Sequence, residues 1–174
     1  MIVTVRNEEE VDKLLETLEE NTSHARQVLR ELPDDPFLAL ASIKFEPIGT
    51  HPIERRPLNF VEQINQTFTY LVALRATRLL LRWHPEAGGF RLAPGAHAPR
   101  GTLDIESEVP GLVGAETFAA VRPENNRKLA NDIDKLEARS EEHRYAFFMS
   151  PRYPNTERRA EHERDGVQVW SIGL

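Results

Sequence analysis

The chain has 174 residues, of which 40% are hydrophobic and 29% are charged, and its formal net charge is −6. These values are typical of an ordinary globular domain and argue against a surface that binds polyanions everywhere. The absence of cysteine excludes disulfides, thiolate metal ligands and a cysteine nucleophile, and it favours a reducing, cytoplasmic location. No apolar run reaches the length of a membrane span, so no membrane association is expected.

Residues 1–58 are predicted to form a helical extension in front of the rest of the chain. Residues 1–5 alternate like a short strand, and residues 8–32 have the apolar spacing of an amphipathic helix. Two prolines end this helix, and residues 37–43 are apolar enough for a short helix or a buried segment. The apolar stripe suits packing or a dimer interface rather than chemistry, so a homodimer is one expected assembly.

The strongest helix signal covers residues 59–83. Asn59 and Glu62 have the spacing of a capping box in which Asn59 is the N-cap, so Glu62 has a structural interpretation of its own. The apolar row of this helix consists of Phe60, Ile64, Phe68 and Leu71. Such a row predicts the central helix of the core.

Charge is unevenly distributed along the chain. Basic residues outnumber acidic ones between residues 21 and 100, whereas residues 101–174 are acidic overall. One stripe of the predicted helix consists of Arg75, Arg78 and Arg82. It suits either a phosphate backbone or a solvated face. Residues 86–101 are rich in Gly, Ala and Pro and include Arg100, so they suit a substrate-binding loop or a slack surface connection.

Residues 102–121 are predicted to form a β-hairpin. Residues 103–109 alternate apolar and polar side chains, which places Asp104 on the polar face. Residues 112–121 form an apolar strand in which Glu116 is the one acidic residue. A carboxylate inside such a strand is costly unless something pairs with it or ligates it. This cost makes the hairpin a candidate site.

The turn at Pro110-Gly111 decides the register of this hairpin. Proline presets φ and glycine accepts a positive φ, so a three-residue loop over 109–111 is favoured over a two-residue loop. In the favoured register Asp104 lies directly opposite Glu116, whereas the two-residue loop would point them to opposite sides. Two carboxylates that close repel, so either one takes a proton or they share a cation.

A helix is expected at residues 125–139, directly after the hairpin. Arg127 and Lys128 lie at its N-terminal end, where backbone N–H groups favour anions such as phosphate. Lys128 also precedes Asp132 by four residues, which is the spacing of a surface ion pair. Both interpretations of Lys128 stay open.

This part of the chain resembles the PD-(D/E)XK nuclease superfamily, which has the restriction-endonuclease-like fold. The resemblance is carried by a strand with Asp104, a turn, a strand with Glu116 and a helix with Lys128, in that order. The resemblance implies an α/β domain with a small mixed central sheet of about four or five strands flanked by helices. It implies that Asp104 and Glu116 bind Mg²⁺, with Mn²⁺ as a substitute, and that Glu62 is an auxiliary ligand. The family's lysine two residues after the glutamate is replaced here by Phe118, and some members place it on the following helix, where Lys128 lies.

We therefore expect a single domain over residues 1–174, in which residues 59–150 form the nuclease-like core and residues 151–174 a charged segment with a final edge strand. The expected activity is Mg²⁺-dependent cleavage of DNA or RNA phosphodiesters, with Asp104 and Glu116 on the metal and Lys128 activating water. The arginines expected to hold phosphates are Arg75, Arg78, Arg82, Arg100 and Arg127.

Two other functions stay open. One is a non-catalytic module of the same fold that binds nucleic acid or protein, which Phe118 at the lysine position favours. The other is a structural, oligomeric protein in which Glu116 is salt-bridged, for example to Arg122 or Arg127. The six histidines show neither HExxH nor paired spacing, which argues against a zinc site.

Overall fold

The computed structural model describes residues 2–95 and 101–174. In these residues the α-helices are α1 (Glu8–Val28), α2 (Pro36–Phe45), α3 (Phe60–Trp83) and α4 (Lys128–Glu137). The strands are β1 (Val3–Val5), β2 (Gly49–Thr50), β3 (Pro57–Leu58), β4 (Phe90–Leu92), β5 (Ile105–Ser107), β6 (Val113–Ala119), β7 (His143–Met149), β8 (Glu157–Arg158) and β9 (Val167–Ser171). Arg100 lies outside the described residues.

Seven of the described strands form one mixed sheet in the order β1-β4-β5-β6-β7-β9-β8. The pairs from β1 to β6 are antiparallel, whereas β6, β7 and β9 run parallel, with α4 in the crossover from β6 to β7. The predicted mixed α/β class is confirmed. The predicted size of four or five strands is wrong, because β1 and β8 extend the sheet at its two edges. The strand expected at the edge, β9, is covered by β8.

The described residues fall into two compact units, one of residues 2–11, 72–95 and 101–174 and the other of residues 12–71. The first unit contains the seven-stranded sheet, the C-terminal part of α3 and all of α4. The prediction that residues 1–174 form a single domain stays a prediction. Within residues 2–95 and 101–174, no helix has both the length and the apolar character that crossing a bilayer requires.

Helix α4 packs on one face of the sheet through the apolar stripe that the sequence predicts. The buried cluster on this face consists of Leu103, Phe118, Leu129, Ile133, Leu136, Ala146, Phe148, Val167 and Val169. On the other face Trp83, the last residue of α3, packs with its ring centroid 4.6 Å from that of Trp170 and 6.2 Å from that of Phe147. The sheet is therefore covered on both sides, which explains why nearly every residue of β6 is buried.

The unit of residues 12–71 contains β2, β3 and the first half of α3. Asn59 caps α3 as predicted, since its Oδ1 accepts a hydrogen bond of 2.9 Å from the backbone N–H of Glu62. The predicted apolar row is only partly buried: Phe60 is buried, but Ile64 and Phe68 are exposed. Polar Gln63 is buried instead, because its amide accepts from Thr50 N and donates to Asn21 O.

Gly114 in β6 allows Leu103 to pack closely against the strand. A Cβ at position 114 would collide with Cδ1 of Leu103 and would lie 3.1 Å from Cγ of Glu141. Gly114→Ala is therefore expected to lower the free energy of unfolding by about 1–3 kcal/mol, measured by chemical denaturation. Ala119→Ser, at an exposed position of the same strand, is the control. If Gly114→Ala loses no more stability than Ala119→Ser, the side chain of Leu103 can move away from the added methyl group without cost.

Candidate functional site

The register of β5 on β6 brings two acidic residues together. Ile105 lies opposite Ala115 and Glu106 opposite Gly114, which is the predicted register, and the next pair in it is Asp104 and Glu116. Gly111 has the expected positive φ of 76°. The strands end earlier than predicted, so the connection comprises residues 108–112 rather than three residues.

Asp104, the residue before β5, accepts hydrogen bonds from β6 through its side chain. Its Oδ2 accepts hydrogen bonds from Thr117 N at 2.8 Å and from Thr117 Oγ1 at 3.0 Å. Burial raises the pKa of Asp104 above its ordinary value, although the two bonds from Thr117 and the charges of Lys128 and Lys135 oppose the rise. The carboxylate is therefore held rigidly in a place where its charge is costly.

Glu116 lies in the middle of β6 and is only 4% exposed. Its Oε1 accepts from Nζ of Lys135 at 2.5 Å, and the same Nζ donates to the backbone carbonyl of Thr102 at 2.9 Å. Burial, followed by the charge of Asp104, raises the pKa of Glu116 to about 7, although Lys135 opposes this rise. Glu116 therefore exchanges its proton near neutral pH.

Asp132 of α4 is the third carboxylate of this site and, like Glu116, is only 4% exposed. Its Oδ1 accepts from Nζ of Lys128 at 2.5 Å, while its Oδ2 is buried and has no hydrogen-bond partner among the described residues. Burial raises the pKa of Asp132, and the charge of Asp104 adds to the rise. An unpartnered buried oxygen costs about 1–3 kcal/mol, so Oδ2 favours a proton or a cation.

The α4 residues of the site lie on one stripe of the helix. Lys128, Asp132 and Lys135 are spaced i, i+4 and i+7, which places them on the same side of α4. Phe118 lies beneath them, with its ring centroid 5.6 Å from Nζ of Lys128 and 6.0 Å from the ring of Phe148. The ring of Phe118 thus fills the core beneath the site, and α4 supplies the amines.

Of the two interpretations of Lys128 that the sequence left open, the structure has the i, i+4 pair with Asp132. The lysine that lies beside Glu116 is Lys135. The alternative partners Arg122 and Arg127 are both exposed. The catalytic role predicted for Lys128 stays a prediction.

The other predicted site residues are dispersed. Glu62 is exposed and belongs to the unit of residues 12–71, so its role as a ligand stays a prediction. Arg75 donates to the carbonyl of Gly173, and Arg82 forms a 2.5 Å ion pair with Glu8. The predicted phosphate-binding set also contains Arg78, which is half-buried, and Arg127, which is exposed. Its fifth member, Arg100, lies outside the described residues. That role stays a prediction for all five arginines.

Sequence reasoning missed Asp132 and Lys135 as members of the site. The signal was present, because Asp132 lies between the apolar Leu129 and Leu136 on the side of α4 that the sheet covers. A charged residue inside an apolar stripe is the helical counterpart of Glu116 inside an apolar strand.

The donor atoms of this site suit a hard cation. Asp104, Glu116 and Asp132 offer carboxylate oxygens, the ligands that Mg²⁺ and Mn²⁺ prefer. Their oxygens nevertheless do not all approach within 4.8 Å of one another. Among the described residues, one group of three side chains has ligand atoms that do, namely His84, Glu86 and His143. A cation that bound Glu116 at Oε1 would have to displace Nζ of Lys135.

Comparisons of the chain with protein-family models, with curated proteins and with solved structures found no match.

Proposed function

We propose that the protein is a Mg²⁺-dependent phosphodiester hydrolase of the restriction-endonuclease-like type that acts on DNA or RNA. The observation that carries this proposal is that Asp104, Glu116, Asp132 and two lysines lie on one face of the sheet, where Glu116 and Asp132 are buried. Asp104 directly precedes β5, Glu116 lies in β6, and α4 with its lysines follows. This is the order that the superfamily resemblance implies. The pKa values of all three carboxyls are raised, as is common at functional sites.

In this proposal the carboxylates have distinct roles. Asp104 and Glu116 hold Mg²⁺, and Oδ2 of Asp132 offers a further oxygen. When bound, the cation supplies a water of lowered pKa and neutralises charge on the phosphate. Lys135, once it is released from Glu116, orients the attacking water or a phosphate oxygen, which is the role that sequence reasoning gave to Lys128.

The test combines calorimetric titration of Mg²⁺ and Mn²⁺ with cleavage assays on single- and double-stranded DNA and RNA. Asp104→Asn and Glu116→Gln are each expected to reduce metal-dependent cleavage at least about 100-fold, because each removes a charged ligand from the reacting centre. Glu161→Gln, at an exposed acid in the 3₁₀ turn Ala160–His162, is the matched control and should cleave like the wild type. Equal cleavage by wild type and Glu116→Gln would refute the proposed metal centre.

The non-catalytic alternative is favoured by one specific observation. Glu116 and Asp132 are each already paired with a lysine at 2.5 Å, so two of the three acids are neutralised without a cation. A wild-type protein that neither binds Mg²⁺ nor cleaves any of the four substrates would support this alternative. Binding to DNA or RNA without cleavage would then identify a nucleic-acid-binding module. The homodimer also remains a proposal.

A further inference from the structure

A second cluster of ligating side chains lies away from the acidic site, in the same compact unit. His84 directly follows α3, Glu86 lies in the 3₁₀ turn Pro85–Ala87, and His143 is the first residue of β7. One ligating atom from each of the three lies within 4.8 Å of those of the other two. The fold therefore brings His143 to His84 and Glu86, from which it is remote in the sequence.

His84 is oriented as a metal ligand would be. It is buried, its Nδ1 lies 3.0 Å from Oε1 of Glu86, and its Nε2 lies 2.8 Å from the hydroxyl of Tyr145. Tetrahedral ligands at the usual zinc distances are separated by roughly 3.3 Å, so the Nδ1–Oε1 separation is close to that of two ligands of one ion. When Nε2–H donates to Tyr145, the lone pair of Nδ1 faces Glu86, which is the tautomer that a metal requires.

The opposite side of the cluster is open to solvent. The ring of His143 lies 4.5 Å from that of His84 between centroids, and its side chain is 36% exposed, while that of Glu86 is 54% exposed. The carboxylate of Glu142 lies 3.8 Å from Nε2 of His143 and offers one more oxygen. An ion can therefore enter from solvent and keep water at its remaining coordination positions.

We propose that His84, Glu86 and His143 bind one zinc-class divalent cation. Two imidazoles and a carboxylate suit Zn²⁺ or Co²⁺, whereas the oxygen-only acidic site suits Mg²⁺. The ion joins the end of α3 to the beginning of β7 and so stabilises the native state. The proposal is independent of the proposed hydrolase function, since it involves none of the same residues.

The test is calorimetric titration of Zn²⁺ into metal-free protein, with Co²⁺ absorption as a report of coordination geometry. We expect one equivalent to bind, to raise the melting temperature, and to bind at least about tenfold more weakly to His143→Ala and to Glu86→Gln. Both substitutions are at partly exposed positions, so they do not depend on refolding the core around the buried His84.

Two controls make the result specific. His24→Ala removes an exposed histidine elsewhere, and Glu116→Gln removes a ligand of the acidic site; both should bind Zn²⁺ like the wild type. Wild-type binding that is absent, or that persists undiminished in His143→Ala, would overturn the proposal. Binding lost in Glu116→Gln but kept in His143→Ala would overturn it as well, by assigning the ion to the acidic site.

Discussion

Replacing Lys135 with methionine is expected to lower the free energy of unfolding by roughly 2–3 kcal/mol at pH 8 and by much less at pH 5. At pH 8 Glu116 is charged, buried and close to Asp104, and Nζ of Lys135 is the cation that it contacts at 2.5 Å. The magnitude is at the lower end for buried pairs because the Lys135 side chain is 41% exposed. At pH 5 Glu116 is protonated and needs no cation.

The double variant Lys135→Met/Glu116→Gln separates the effect of losing the Lys135–Glu116 ion pair from the effect of changing the packing of the lysine side chain. It should recover most of the stability at pH 8, because the neutral amide leaves no buried charge without a partner. Lys44→Met, at an exposed position on α2, is the control for a methionine replacement. The measurement is urea denaturation of all variants at both pH values. If Lys135→Met loses as much stability at pH 5 as at pH 8, the effect comes from the lost hydrogen bond to the carbonyl of Thr102 or from the packing of the lysine methylene groups, and not from the ion pair.

Glu116→Gln alone is expected to reduce the pH dependence of stability in metal-free buffer. The pKa of Glu116 is about 7 in the folded protein, above its ordinary value of 4.5, so between these values the folded state binds a proton that the unfolded state releases. Stability therefore falls as pH rises through this window, by about 1.4 kcal/mol per unit of pKa shift, or about 3 kcal/mol in all. The stability of Glu116→Gln should not show this decrease, because glutamine does not titrate.

The comparison of variants measures the contribution of Glu116 to the pH dependence together with its interaction with Asp104. Asp104 and Asp132 also have raised pKa values and contribute in the same direction, and the charge of Asp104 is one cause of the raised pKa of Glu116, so the two titrations are linked. The measurement is denaturation of wild type, Glu116→Gln and the exposed control Glu161→Gln at several values between pH 5 and pH 8. If the free energy of unfolding of wild type and of Glu116→Gln changes with pH in the same way, the pKa of Glu116 is not raised.

Local chemistry in the sequence determined several features of the molecule. The turn at Pro110-Gly111 specified the register of β5 on β6, because proline and glycine restrict the turns that can close a hairpin. Asn59 specified the start of α3, because its side chain satisfies a backbone N–H that the helix leaves free. An isolated acid in an apolar strand identified Glu116 as the residue to explain.

The tertiary structure alone decided which side chains meet. The packing of α4 on the sheet rotates the helix so that Lys135, rather than Lys128, contacts Glu116, and helical spacing by itself fits either lysine. Strand order likewise depends on contacts between distant segments, which is why β1 and β8 enlarged the sheet beyond its expected size. The convergence of His84 and His143 has no signature in spacing, because long-range packing and not local sequence brings the end of α3 to the beginning of β7.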